Sequence, residues 1–181
     1  VPFPQSIADL TDWSYMFYYG MSQNNVFYPN TENYEDINGY QITSQSDFSD
    51  WDCSQVIDMR LMFSGCSNFI GNGLQNWNTQ SVIDMYSMFS SSQFNQDIGN
   101  WNVSNVTSMR WMFSGNVAFN QDISNWDTSS LTNMESMFGD ATAFNQDIGS
   151  WDVSNVTNMV SMFENALIFN KNIGSWDTSN V

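Results

Sequence analysis

The sequence predicts an α/β repeat fold, a right-handed solenoid with short parallel strands on one face and short helices on the other. One unit recurs along most of the 181-residue chain, marked by a tryptophan, a Met-x-x-Met-Phe segment and a second phenylalanine. The intervals between the marker tryptophans are 24 to 26 residues. The markers are Trp51, Trp77, Trp101, Trp126, Trp151 and Trp176. Repetition this regular is typical of a stack of equivalent units.

The Met-x-x-Met-Phe segment predicts the helix of each unit. Val106, Met109, Met112 and Phe113 are spaced i, i+3, i+6 and i+7, which is the apolar stripe of a short helix. Equivalent methionine pairs occur in every unit: Met59/Met62, Met85/Met88, Met109/Met112, Met134/Met137 and Met159/Met162.

The residues around each tryptophan predict the strand. Ile98, Trp101, Val103 and Val106 have the spacing of a leucine-rich-repeat strand segment, and the unit length fits that class of repeat. We expect a very short strand at Trp-(Asp/Asn)-(Val/Thr), then a short helix and a return loop.

The chain divides into two parts. Residues 51–181 hold five repeats and the start of a sixth. Residues 1–50 are predicted to be an N-terminal cap, in which 1–17 form a degenerate first repeat and 18–50 include an insertion. The cap also holds tyrosines that are candidates for a contact surface: Tyr15, Tyr18, Tyr19, Tyr28, Tyr34 and Tyr40.

Composition excludes several function classes. With 19 acids against three bases the net charge is −16, which disfavours nucleic acid and anionic membranes as partners. The sequence has no 18-residue apolar run, so we expect no membrane insertion. It has no histidine, which removes Ser-His-Asp and Cys-His catalysis and His-ligated metal sites. We therefore expect neither catalytic residues nor a cofactor, and we expect that the chain is not an enzyme.

The repeat resembles a known family in the string F-N-Q-D-I-(G/S)-(N/S)-W-(D/N)-(V/T)-S-N-V-T-x-M-x-x-M-F. It is similar to the bacterial surface-protein repeat called DUF285, or the mycoplasma-lipoprotein-type repeat, and to BspA-like leucine-rich repeats. The resemblance covers 51–181. It implies an extracellular or cell-surface protein whose role is adhesion or is unknown, and it supplies no catalytic residues to assign.

Acidic residues recur at two positions of the repeat. One position holds Asp97, Asp122 and Asp147, and the other, just after the tryptophan, includes Asp127, Asp152 and Asp177. Clustered oxygens of this kind favour Ca²⁺. The alternative is a solvated acidic face, because no compact D-x-D-x-D-G loop is present.

Asparagine recurs after the second phenylalanine of four repeats, at Asn95, Asn120, Asn145 and Asn170. One asparagine per repeat at a constant position predicts a structural ladder that satisfies backbone groups of the loop. An exposed polar turn residue is the alternative.

Three Asn-x-(Ser/Thr) sequences, at Asn102, Asn105 and Asn155, are acceptors for N-linked glycan if the chain is secreted by a eukaryote. In a bacterial protein they are incidental to the repeat.

Cys53 and Cys66 are the two cysteines, and both lie in the first complete repeat. In a secreted protein they predict a disulfide, and two unpaired thiols are the alternative.

Trp111 departs from the repeat, because serine or leucine stands at its equivalents, and we expect it to be exposed. Two functions remain. One is adhesion, with a surface protein or glycan as partner. The other is a subunit of an extracellular filament that self-assembles head to tail, which we expect if the last repeat is uncapped.

Overall fold

The repeats stack on one another in register in a computed structural model that describes residues 11–14, 16 and 46–181. A series of single-residue parallel bridges links successive repeats, always seven residues after the marker tryptophan within 51–181. The series runs through Asp12, Asp58, Asp84, Ser108, Asn133 and Asn158. A further bridge joins Asp47 to Asn72. For brevity we number the repeats 1 to 5, with bounds 51–76, 77–100, 101–125, 126–150 and 151–175.

The backbone of each repeat is a succession of tight turns. In repeat 3, the N–H of Met112 donates to Met109 O at 3.1 Å and that of Ser114 to Trp111 O at 3.1 Å. The residues between them donate to the next repeat instead: Trp111 N–H lies 2.9 Å from Glu135 O, and Phe113 N–H 3.0 Å from Met137 O. Alternate N–H groups therefore close turns within a repeat and tie it to its neighbour.

The predicted α/β solenoid is wrong in its elements. Among the described residues the structure has no α-helix and no strand longer than a single bridge; its one regular element is the 3₁₀ helix Leu74–Asn76. The helix expected over Met-x-x-Met-Phe is absent because the second intervening residue is left-handed in every repeat, with φ of 58° at Trp111. The equivalent left-handed residues are Leu61, Ser87, Ser136 and Ser161.

The predicted strand is also absent, for a local reason. The N–H of Trp101 donates to Ile98 O at 3.0 Å, and that of Val106 to Val103 O at 2.9 Å, so both ends of the segment are turns. Asn102 between them accepts the N–H of Ser104 at 3.1 Å, a third turn. Parallel pairing occurs further along the repeat, at Ser108, inside the segment predicted to be helical.

Two columns of stacked phenylalanines form the centre of the core. In repeat 3, Phe113 and Phe119 stack with ring centroids 3.9 Å apart, and Phe113 lies 5.8 Å from Phe89 and 5.7 Å from Phe138. The first column contains Phe63, Phe89, Phe113, Phe138 and Phe163, and the second Phe69, Phe94, Phe119, Phe144 and Phe169. Stacking therefore continues through all five repeats.

The marker tryptophans join the repeats through their indole N–H groups. Trp126 Nε1 donates at 3.1 Å to Ile98 O, at the end of repeat 2, and Trp151 Nε1 donates at 3.1 Å to Ile123 O, at the end of repeat 3. A buried indole needs such an acceptor. The repeat therefore requires tryptophan at this position for a hydrogen bond as well as for apolar volume.

The predicted cap lies largely outside the described residues, as do all of its tyrosines that were candidates for a contact surface. Of the first 17 residues, Trp13 is buried and packs edge-on against Trp51, with centroids 5.7 Å apart. The backbone N–H of Trp13 donates to Asp58 O at 2.8 Å, so this short segment lies against repeat 1.

No helix in the described part of the chain has the length and apolar character needed to cross a membrane.

Candidate interaction surface

The two residues between the methionines of each repeat vary, whereas the methionines themselves do not. The first of them is Arg60, Tyr86, Arg110, Glu135 and Val160 in repeats 1 to 5. The second is Leu61, Ser87, Trp111, Ser136 and Ser161. Because this segment is bonded to the same segment of the next repeat, side chains one repeat apart become neighbours. We call Arg60, Tyr86, Arg110, Trp111 and Glu135 the aromatic–arginine surface.

Trp111, Tyr86 and Arg110 form the centre of this surface. The rings of Tyr86 and Trp111 are 5.8 Å apart between centroids, with planes inclined at 33°. Arg110 Cζ lies 4.4 Å from the Trp111 centroid and 5.7 Å from that of Tyr86. All three side chains are half-buried. The cation–π contacts therefore hold both rings in place while leaving part of each exposed.

Glu135, which lies in repeat 4, binds the guanidinium of Arg110 in repeat 3. Arg110 Nη2 donates to Glu135 Oε1 at 2.9 Å, and Asn158 Nδ2 donates to Glu135 Oε2 at 3.0 Å. Both oxygens of the carboxylate are thus engaged, and the positive charge of Arg110 is balanced.

Arg60 is neutralised in the same way. Its Nε donates to Asp58 Oδ2 at 2.8 Å and lies 3.9 Å from Asp84 Oδ2. Hydrogen bonding to Asp58 raises the pKa of Arg60, and burial raises the pKa of Asp84. Both arginines of the chain, two of its three basic residues, therefore lie on this surface in ion pairs.

The recurring acids serve as turn caps. Oδ1 of Asp97 and Asp147 accepts the N–H of the glycine two residues on, at 2.9 and 3.1 Å. The other four, Asp122, Asp127, Asp152 and Asp177, accept the N–H of a serine two residues on. Hydrogen bonds from these serines lower the pKa of the four carboxyl groups.

These acids do not gather into a metal site. Within the described ranges, no three His, Cys, Asp or Glu side chains are placed to hold a metal ion. The role that the geometry shows for these oxygens is local, and Ca²⁺ binding stays a prediction.

The four loop asparagines are bonded to one another along the stack. Asn95 Oδ1 accepts the N–H of Asn120 at 2.9 Å, Asn120 Oδ1 that of Asn145 at 2.9 Å, and Asn145 Oδ1 that of Asn170 at 3.0 Å. Gln146 Nε2 also donates to Asn120 Oδ1 at 2.9 Å. Asn95, Asn120 and Asn145 thus each satisfy a backbone donor of the following repeat.

The three candidate glycosylation sites differ in how their amides are used. Asn105 Nδ2 donates to Gln80 O at 2.8 Å, and Asn155 Nδ2 donates to Ser129 O at 2.8 Å. These nitrogens, which would carry the glycan, already bond the preceding repeat. Asn102 makes its contact with Ser104 through Oδ1 instead. Glycan occupancy stays a prediction, and Asn102 is the site that would lose no inter-repeat bond.

The predicted disulfide is not formed: the structure holds both Cys53 and Cys66 as buried thiols. Cys53 takes the core position of Val103 and Val153. Its Sγ donates to Asn78 O at 3.3 Å, and burial raises its pKa to about 12. Each cysteine side chain packs in the core at its own position of the repeat.

The sequence alone indicates only part of the surface. Trp111 stands out because this residue breaks the repeat. The contacts of Tyr86, Arg110 and Glu135 do not, since their position varies along the stack and no constant residue marks a departure. The signal available was that both arginines occupy one repeat position.

The stacked units, with their aromatic columns and variable surface, define a repeat protein. A family model described as "Mycoplasma protein of unknown function, DUF285" matches residues 31–117 and 90–181. The chain belongs to this family, which confirms the DUF285 resemblance. No curated protein and no solved structure matches the chain.

Proposed function

We propose that the chain is a non-enzymatic adhesion module that acts outside the cell and binds its partner through the aromatic–arginine surface. The observation that carries the proposal is the clustering of the variable aromatic and arginine side chains around Trp111. In a stack of equivalent units, the constant residues maintain the stack. Side chains that differ from repeat to repeat are the ones available for recognition.

The backbone at Trp111 supports a role beyond packing. A bulky residue with φ of 58° is strained, because the left-handed conformation crowds its Cβ. Three of the four equivalent residues are serine, and Trp111 is half-buried rather than part of the core. Trp, Tyr and Arg are also the residues that contribute most to binding at interfaces.

The ionisable groups support a role without catalysis. A thiol with a pKa of about 12, as at Cys53, is almost never ionised and is a poor nucleophile. The recurrent carboxylates are repeated in like surroundings and have their pKa lowered, so they do not form an acid and base pair.

The test is binding of the fluorescent chain to a panel of eukaryotic and bacterial cells by flow cytometry. Amine labelling is suitable because the single lysine, Lys171, is exposed and lies in repeat 5. The decisive variant is Trp111→Ser, which installs the residue of Ser136 and relieves the strain. It should fold normally and bind about tenfold more weakly or worse, the loss expected for one buried aromatic contact.

Val117→Thr is the matched control. Val117 is exposed in the same repeat, six residues beyond Trp111, and Thr142 occupies the equivalent position in repeat 4. This variant should bind like the unmodified chain. Absence of binding to every cell type, or equal binding by Trp111→Ser, would refute the proposal.

A further inference from the structure

We infer that the aromatic–arginine surface takes a neutral glycan, with pyranose rings against the exposed parts of Trp111 and Tyr86. This inference rests on the proposed function and names the chemical class of its ligand.

The two rings are spaced for a chain of sugars. Tyr86 and Trp111 lie in successive repeats, 5.8 Å apart between centroids. Sugars that follow one another along the stack therefore meet successive rings. The face of a pyranose that carries its C–H groups is apolar, and an aromatic side chain offers it a large flat surface at little cost in conformational entropy. Arg110, at 4.4 Å from the Trp111 centroid, prevents the indole from turning away.

The charges of the surface favour a ligand without net charge. Arg60 is paired with Asp58, and Arg110 with Glu135, so neither guanidinium offers an unbalanced positive charge. The chain as a whole carries −16, which repels acidic polysaccharides over a long range.

The polar groups beside the rings are fixed before a ligand arrives. Arg110, Glu135 and Asn158 form one hydrogen-bonded series across three repeats, at 2.9 and 3.0 Å. Sugar hydroxyl groups both donate and accept, so they can bond to the edges of such a series. Because these side chains are already ordered, binding costs less entropy.

The same ion pairs disfavour a protein partner. The strongest contacts of a protein interface lie in a fully desolvated centre. Here the aromatic rings adjoin Arg110 and Glu135, and complete desolvation of that pair is costly. A glycan replaces the water on these groups with hydroxyls and so avoids the cost.

The test uses an array of immobilised neutral and acidic oligosaccharides. We expect the unmodified chain to retain neutral members, and Trp111→Ser to weaken that binding about tenfold or more. Tyr86→Val, which installs the residue of Val160, should weaken it as well. Val117→Thr should bind unchanged. The same soluble oligosaccharides should displace the chain from cells.

Other results overturn the inference in distinguishable ways. Retention of acidic oligosaccharides alone, or neutral binding that Trp111→Ser leaves intact, contradicts it directly. Suppose that the array stays blank while cell binding depends on Trp111 and survives enzymatic removal of glycans. The partner is then a protein, and the proposed function stands without the glycan. Failure of both array binding and Trp111-dependent cell binding rejects the two proposals together.

Discussion

The residue between the two methionines decides between the turns that the structure shows and the helix that the spacing predicts. Ser136 has a φ of 47°, in the left-handed region, and its N–H donates to Val160 O at 2.8 Å. The informative pair of variants is Ser136→Gly and Ser136→Ala. Both keep the backbone N–H and remove the hydroxyl, so they differ only in what the backbone prefers.

A left-handed turn and a helix at Ser136 predict opposite orders of stability for the glycine and alanine variants. The left-handed conformation destabilises a residue with a Cβ by about 1–2 kcal/mol, whereas it destabilises glycine hardly at all. Glycine loses about 0.5–1 kcal/mol through the greater freedom of its unfolded chain. The glycine variant should therefore exceed the alanine variant in free energy of unfolding by about 0.5–1 kcal/mol. In a helix, alanine would be the more stable by about 1 kcal/mol.

Urea unfolding followed by tryptophan fluorescence measures this difference, provided that the slope with denaturant is the same in both variants. A matched pair at Asn125, an exposed residue outside the left-handed region, provides the control. There the alanine variant should be the more stable by about 0.5–1 kcal/mol. If the Ser136 pair behaves like the Asn125 pair, the left-handed turn is wrong.

Three further predictions concern the thiols, the acids and the core. Dithiothreitol should leave the urea midpoint unchanged because Cys53 is a buried thiol; a fall of about 3 kcal/mol in stability would reveal a disulfide. The lowered pKa of Asp152 means that its contribution to stability is present above pH 3.8 and is lost as pH falls through the folded-state pKa. Asp152→Asn keeps the accepting oxygen but does not titrate. It should therefore reduce the loss of unfolding free energy at low pH, measured by circular dichroism. Phe113→Ala should cost about 3–5 kcal/mol. Phe163→Ala, at a half-buried member of the same column, should cost less than half as much in the same assay.

The sequence was sufficient to predict which positions recur and which of them are apolar. Trp101, Met109, Met112 and Phe113 are all buried. Phe113 stacks on its equivalents in both neighbouring repeats, and Trp101 stacks on Trp77, so a change at one of these positions disturbs the adjacent repeats. Register is therefore readable from a single sequence when a repeat stacks on itself.

The conformation between those positions was not predictable in the same way. A spacing of i, i+3, i+6 suits a helix, but it also suits consecutive turns that each close three residues on. The left-handed residue that separates the two cases is Leu61, Trp111 or a serine, and none of these residue types indicates a positive φ. Glycine at that position would have indicated it. The hydrogen bonds to the next repeat stabilise this left-handed conformation. They join residues about 25 apart, so no pattern in the neighbouring sequence indicates them.

The surface was partly predictable for a related reason. Trp111 was recognisable because serine or leucine stands at its equivalents. Tyr86 and Arg110 were not, because their position holds a different kind of residue in almost every repeat. Only the stack brings the Tyr86 ring to 5.7 Å from Arg110 Cζ, across 24 residues of sequence.

Recurrence and variation therefore have separate physical roles in this chain. Methionine, phenylalanine and the marker tryptophan are held constant because a change in one repeat disturbs both neighbours. Of the two residues between the methionines, the second donates its N–H to the next repeat, and the first accepts at its carbonyl from the preceding repeat. Their side chains can change without loss of those bonds, as the exchange of serine for tryptophan at position 111 shows. Recognition can therefore vary along this row while stacking is preserved.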